Sequence, residues 1–130
     1  MVSTIEYLTS EEIIAINKEA LAKIKVKKAD SFKVLSAMKL NKILEQAETE
    51  SGDVYDKAVI LLQGLVQEHP FASGNRRTAI LATIRFLKMN KHDPLIKEDS
   101  KILQRIRENY YIRKEIKEWL KGGDMREFKR

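Results

Sequence analysis

Apolar residues recur at helical spacing along almost the whole chain, and few residues interrupt them. The 130 residues include only two prolines and five glycines, the residue types that most often break regular elements. Between these breaks, apolar side chains fall three or four positions apart, which places them on one face of a helix. No segment alternates apolar and polar residues convincingly, as a half-buried strand would. The pattern therefore predicts an all-α fold.

Six helices follow from this spacing. Thr9 and Glu12 have the spacing of a capping box at the start of the first helix. The predicted buried stripe of that helix is Ile13, Ile16, Ala20 and Ile24. The other helices are predicted at residues 33–48, 53–68, 75–90, 100–109 and 111–121. Residues 26–32 are expected to form a short extended flap.

The helix from 53 to 68 is apolar around most of its circumference, so we expect it at the centre of the bundle. Asn17 lies on the apolar face of the first helix and is predicted to be a buried hydrogen-bonding residue. We expect Ile112, Ile116 and Trp119 to anchor the last helix in the core.

Size and composition exclude several kinds of protein. A mass of 15.1 kDa suits one domain, so we expect residues 1–130 to form a single unit with a short basic tail at 122–130. The chain has no cysteine and two histidines, which excludes disulfides, thiol nucleophiles and cysteine-bound metals. Residues 1–10 do not resemble a secretory signal, and the longest apolar run is 58–62, far too short to span a membrane. We expect a cytoplasmic protein.

The net charge of +6 raises the possibility of a basic helical nucleic-acid-binding module. Residues 95–130 hold 11 Lys and Arg against 7 Asp and Glu, and the acids are interleaved with the bases as on an ordinary solvated helix face. No basic recognition helix is visible. We therefore rank a nucleic-acid partner below an anionic small-molecule ligand.

The connection between the two most apolar helices has the composition of a binding site. Pro70 should end the preceding helix and hold His69 in an extended conformation. Gly74 permits a positive φ or the close approach of a ligand, and Asn75 is a favourable helix cap. The N–H groups that open the following helix would then be available to an anion, phosphate above all.

Two consecutive arginines open that helix. A first helical turn normally favours negative charge, so Arg76 and Arg77 oppose the helix dipole, each by roughly 0.3–1 kcal/mol if exposed. Their position indicates that a bound anion compensates them.

This loop resembles the signature of the Fic/Doc family, which reads His-Pro-Phe, any residue, Asp or Glu, Gly-Asn, Gly or Lys, Arg. The matching residues are His69, Pro70, Phe71, Gly74, Asn75 and Arg77. The likeness covers residues 5–120. The segment 7–16 and the sequence 77–79 are similar to death-on-curing (Doc) proteins in particular.

The resemblance implies a role for each motif residue. His69 would be the general base, a task suited to an imidazole. Gly74 and the backbone of Asn75 and Arg76 would form an anion hole, and the Asn75 side chain and Arg77 would hold phosphate oxygens. Pro70 and Phe71 would fix the conformation of the loop. Residues 31–38 would form a flap that binds the target segment.

The family likeness implies a nucleotide-dependent transferase that modifies a hydroxyl of a protein target. ATP or another nucleoside triphosphate would be the donor and Mg²⁺ the cofactor. Ser73 stands where the family has an acidic metal ligand, so we expect weak Mg²⁺ binding and reduced activity. A degenerate member that binds nucleotide without transferring a group is therefore an alternative.

Position 80 helps to choose between two reactions. AMP-transferring members of the family usually carry a second arginine at this position, whereas this chain has Ile80. Doc proteins also lack that arginine. We therefore expect Doc-like phosphorylation, with AMP transfer as the alternative. No self-inhibitory Ser/Thr-x-x-x-Glu-Gly/Asn string is present, so a toxin of this type would be restrained by a separate antitoxin partner or by its own weak metal site.

Overall fold

The computed structural model describes residues 4–24 and 33–127 of the chain, with Ile24 described for its backbone alone. These residues form six α-helices and no strand, as the all-α prediction requires. The helices are α1 (Ser10–Ile24), α2 (Ala37–Thr49), α3 (Val54–Glu68), α4 (Asn75–Met89), α5 (Ser100–Arg107) and α6 (Arg113–Leu120). The predicted flap at 26–32 lies outside the described residues.

Side-chain caps fix where several helices begin. The predicted capping box is present at α1, where Thr9 Oγ1 accepts from the Glu12 amide at 3.2 Å and Glu12 Oε1 accepts from the Thr9 amide at 3.0 Å. Helix α2 begins at Ala37 rather than at the predicted residue 33, because the Ser36 hydroxyl caps it by accepting from the Lys39 amide.

Helix α3 lies at the centre of the bundle, as its sequence predicted. It packs against α2, α4, α5 and α6, while α1 covers α4 and touches α2. The five consecutive residues 58–62 are all buried, so every side of α3 is covered. The two helices that flank the candidate loop are therefore held from several directions by one apolar core.

The assignment of Ile112 to the core is wrong. Ile112 is 63% exposed because it is the residue before α6, where its amide donates to Glu115 Oε1 at 3.1 Å. Ile116 and Trp119 are fully buried, as expected. In the described part of the chain, no helix combines the length and the apolar character needed to cross a membrane.

Candidate active site

The turn from α3 to α4 starts with an unusual backbone conformation. His69 has φ 50° and ψ 61°, which is left-handed and not extended as predicted. A left-handed residue after the last helical turn redirects the chain sharply, and this preference overrides the bias that Pro70 exerts on its predecessor. Such strain in a residue other than glycine persists where the surroundings impose it, often at functional sites.

The segment before α2 supports the loop from one side. Pro70 O accepts from the amides of Leu35 at 2.8 Å and Ser36 at 3.2 Å, and the Ala72 amide donates to Lys33 O at 2.9 Å. These bonds form one isolated antiparallel bridge, between Val34 and Phe71. Residues 33–36, which belong to the flap predicted at 31–38, therefore lie directly against the motif loop, residues 69–77.

Asn75 holds the loop through its side chain. Its Oδ1 accepts from the Phe71 amide at 3.1 Å, and its Nδ2 donates to Phe71 O at 2.9 Å. Asn75 is the first residue of α4 rather than its cap, a position that Gly74 occupies with φ 76°. The Phe71 ring is buried. Since both ends of the amide bind the loop, a contact between the Asn75 side chain and phosphate stays a prediction.

Asn17 of α1 secures the other side of the loop. It is fully buried, and its Nδ2 donates to Ser73 O and to Thr78 Oγ1, both at 3.0 Å. A Cβ at Gly74 would lie 3.2 Å from Leu21 Cδ2 and 3.3 Å from Asn17 Nδ2. Glycine is therefore favoured at position 74 both by its positive φ and by its close approach to α1.

The motif residues line a cleft of about 480 Å³ between the start of α4 and helix α5. His69 and Ser73 to Arg77 form one wall, and the other wall comes from the segment that leads into α5 and from α5 itself. The residues of that second wall are Glu98, Ser100, Leu103 and Arg107. The structure thus brings every polar and charged residue of the predicted site together around one space.

The imidazole of His69 is the most unusual titratable group of the cleft. Its Nε2 is buried and has no hydrogen-bond partner among the described residues. Burial is the main cause that lowers the pKa of His69, followed by the charges of Arg107, Arg76 and Lys39. The ring is therefore neutral at physiological pH, the state that a general base requires.

Asn75 also influences the tautomer of this ring. Its hydrogen bonds to Phe71 fix the orientation of the amide, so the Asn75 Nδ2 is the atom that faces His69 Nδ1, at 3.4 Å. An amide nitrogen can only donate, which favours a lone pair on Nδ1 and a proton on Nε2. At 3.4 Å the interaction is weak, so the preference it imposes is small.

The two motif arginines have different partners. The guanidinium of Arg77 binds the Glu98 carboxylate, and both side chains are about half exposed. Arg76 Nη1 donates to Gln104 Oε1 of α5 at 2.8 Å, a neutral partner that leaves its charge uncompensated. The start of α4 has no side-chain cap. Two cations and the opening N–H groups of a helix therefore meet in the cleft, an arrangement that suits a phosphate group.

The side chains of the cleft do not fit a protein-bound Mg²⁺ ion. Ser73 is partly exposed and contributes a hydroxyl in place of a carboxylate, while Glu98 is already paired with Arg77. No group of three or more Asp, Glu, His or Cys residues that could hold a metal occurs in the described ranges. Mg²⁺ usually takes one or two carboxylates together with phosphate and water, and the described residues of this site offer no unpaired carboxylate.

Three residues of the site could not be assigned from the sequence as functional. Asn17 was predicted to be a buried hydrogen-bonding residue, but its attachment to the motif loop is a tertiary contact. Glu98 and Arg107 carry no local signal, because their relevance comes from the packing of α5 against α3.

A comparison with protein families agrees with this geometry. Residues 7–87, more than half of the chain, match the model of the Fic/DOC family. The match includes α1 to α3, the motif loop and most of α4. No curated protein matches the chain. The chain belongs to the Fic/DOC family.

Proposed function

We propose that this protein transfers a phosphoryl group from ATP to the hydroxyl of a serine, threonine or tyrosine in a protein target. Family membership indicates a nucleotide-dependent transferase of the Fic type. The observation that carries the proposal is that His69, whose buried Nε2 has no partner among the described residues, lines the same cleft as the start of α4, which has no side-chain cap. In this proposal His69 is the proton acceptor and the start of α4 binds phosphate.

The start of α4 supplies the phosphate contacts. The backbone N–H groups of the first helical turn and the helix dipole favour an anion there. Arg76 adds a charge that is not paired with any carboxylate of the described residues, and Arg77 adds another once its bond to Glu98 is exchanged for a phosphate oxygen. Arginine binds phosphate through two parallel N–H donors, so it also orients the group.

In the reaction, His69 Nε2 accepts the proton of the target hydroxyl as its oxygen attacks the γ-phosphorus. A new oxygen–phosphorus bond forms while the bond to the β-phosphate oxygen breaks, and ADP leaves with that electron pair. The positive charges beside the phosphates stabilise the negative charge of the transition state. His69 then releases its proton to water.

This step requires the tautomer of His69 that has its proton on Nδ1. The Asn75 amide favours the other tautomer, but its contact at 3.4 Å is too weak to impose a large cost. We expect a small movement of the ring away from Asn75 when the substrate hydroxyl approaches Nε2. The hydroxyl also supplies the hydrogen-bond partner that this buried atom lacks.

The surroundings of position 80 favour phosphorylation over AMP transfer. Ile80 is 1% exposed and belongs to the apolar core. No side chain at this position of α4 therefore reaches the phosphates, in contrast to the second arginine of AMP-transferring relatives. AMP transfer is the alternative, in which the oxygen attacks the α-phosphorus and diphosphate leaves.

We expect the target to lie against residues 33–38, which border the motif loop. Leu35 is 58% and Met38 is 81% exposed, so this segment offers apolar side chains to a partner protein. A role as the toxin of a toxin–antitoxin pair is a further part of the proposal, and it would require a separate antitoxin protein.

Labelled nucleotides test the reaction. Lysate proteins would be incubated with the protein and with ATP labelled at either the γ- or the α-phosphate, and the modified target analysed by mass spectrometry. We expect γ-label and a phosphate-sized adduct, lost on His69→Ala and retained on the matched control His92→Ala, since His92 is exposed and outside the cleft.

Each other outcome is informative. An AMP-sized adduct would replace phosphorylation by AMP transfer, and label transfer by His69→Ala would exclude His69 as the base. Nucleotide binding without any transfer would identify a degenerate family member.

A further inference from the structure

A third cation, Arg107, lines the cleft from outside the motif. Arg107 lies in the last turn of α5 and lines the same cavity as His69, Gly74 and Arg76. Its helix is fixed against α3, since Leu103 and Ile106 are buried and Gln67 Nε2 donates to Ile106 O at 2.9 Å. The packing of α5 on α3 therefore determines the position of Arg107 beside the motif loop.

Arg107 differs from the motif arginines in its partners. Arg76 is bonded to Gln104 and Arg77 to Glu98, whereas no hydrogen bond or ion pair joins Arg107 to another residue in the described part of the chain. Its side chain is exposed. Among the described residues, Glu98 is the one carboxylate that lines the cleft, so the guanidinium of Arg107 is available to a ligand anion.

Arg107 is also close to the proposed base. Among the charges that lower the pKa of His69, that of Arg107 comes first, after the effect of burial. A cation that is near the base and also lines the cleft can reach the phosphate under attack, because the attacking hydroxyl has to touch both His69 and the phosphorus.

We propose that Arg107 is a third phosphate-binding arginine, which binds the phosphate group that is transferred. Arg107 would supply to the phosphate, from α5, a positive charge that the apolar side chain of Ile80 on α4 cannot supply. This inference rests on the proposed function. If the γ-phosphate is transferred, Arg107 contacts a group that ATP has and that ADP and AMP lack.

Equilibrium binding of ATP, ADP and AMP to the full chain tests this assignment. We expect Arg107→Gln to weaken ATP binding by roughly 10- to 100-fold, the range for one charge-assisted contact, and to change ADP and AMP binding by less than about threefold. Arg107→Lys should retain part of the ATP affinity. Arg85→Gln removes the same charge from an exposed position of α4 outside the cleft and should change nothing.

A second measurement separates ligand binding from a structural role at the end of α5. In the nucleotide-free protein, NMR titration of the His69 ring should give a higher pKa in Arg107→Gln than in the wild type. Thermal melting should show that the variant is folded. An unchanged His69 pKa would mean that Arg107 is not beside the base, and would overturn the inference.

The outcomes distinguish the two proposals. If the wild type binds none of the three nucleotides, the proposed function fails and this inference with it. If the wild type binds ATP and Arg107→Gln binds it within twofold as well, the inference alone fails. Equal losses for ATP, ADP and AMP would overturn the assignment to the transferred γ-phosphate, because the contacted phosphate would then be one that all three share.

Discussion

Glu98 Oε1 lies 2.5 Å from Nη1 of Arg77, so a carboxylate of the protein itself is paired with a motif arginine that we propose binds phosphate. Both side chains are about half exposed, and an ion pair in such a setting contributes about 0–1 kcal/mol. The pair therefore holds Arg77 only weakly, and a phosphate with more charge can displace Glu98.

Removing this carboxylate should strengthen nucleotide binding. We expect Glu98→Gln to tighten ATP binding by about two- to fivefold, because up to about 1 kcal/mol of competing interaction is lost. Calorimetric titration with ATP measures the change. The matched control is Asp124→Asn, which neutralises the exposed partner of Lys97 outside the cleft. Weaker binding in Glu98→Gln would mean that Glu98 orients Arg77 for the ligand instead of competing with it.

The lowered pKa of His69, the proposed base, predicts how the transfer activity depends on pH. Burial and neighbouring arginines disfavour the imidazolium, so the neutral form persists below the ordinary value of about 6.5. Transfer activity should therefore be level above neutrality and fall only as the pH drops below that value. NMR titration of the two histidines, assigned with His92→Gln, gives the pKa directly. A His69 pKa above 6.5 would contradict this prediction.

Ser73 predicts a response to an added carboxylate. We expect Ser73→Asp to make ATP binding more dependent on Mg²⁺, by roughly tenfold or more between chelated and metal-saturated conditions, since Mg²⁺ prefers a carboxylate to a hydroxyl. Ser100→Asp places the same charge on the opposite wall of the cleft and serves as the control. An equal gain in both variants would mean that position 73 is not a specific metal position.

The buried amide of Asn17 predicts a stability effect centred on the loop. Asn17→Ala removes the donor to Ser73 O and Thr78 Oγ1 and should lower the free energy of unfolding by about 2–3 kcal/mol, because one buried and one partly buried acceptor lose their partner. Thr78→Val should cost less, since Asn17 retains Ser73 O. Urea unfolding measures both. If Asn17→Ala costs less than about 0.5 kcal/mol, these bonds do not hold the loop.

The sequence predicted most of the fold because its strongest signals are local. The Thr9–Glu12 capping box and the apolar circumference of α3 depend on residues that are near one another in the chain. The start of α2 was misplaced because the pairing of residues 33–36 with residues 70–72 is a contact between distant segments. Ile112 was misassigned because hydrophobicity alone does not reveal that a residue lies just before a helix begins.

The composition of the candidate site was determined by the sequence alone, since the spacing from His69 to Arg77 places a histidine and two arginines at a helix start. The left-handed conformation of His69, the engagement of Asn75 with Phe71 and the support from Asn17 were decided by tertiary structure. So was the second wall of the cleft. The packing of α5 against α3 brings Glu98 and Arg107 to the motif, and no local pattern encodes a contact between segments so far apart in the chain.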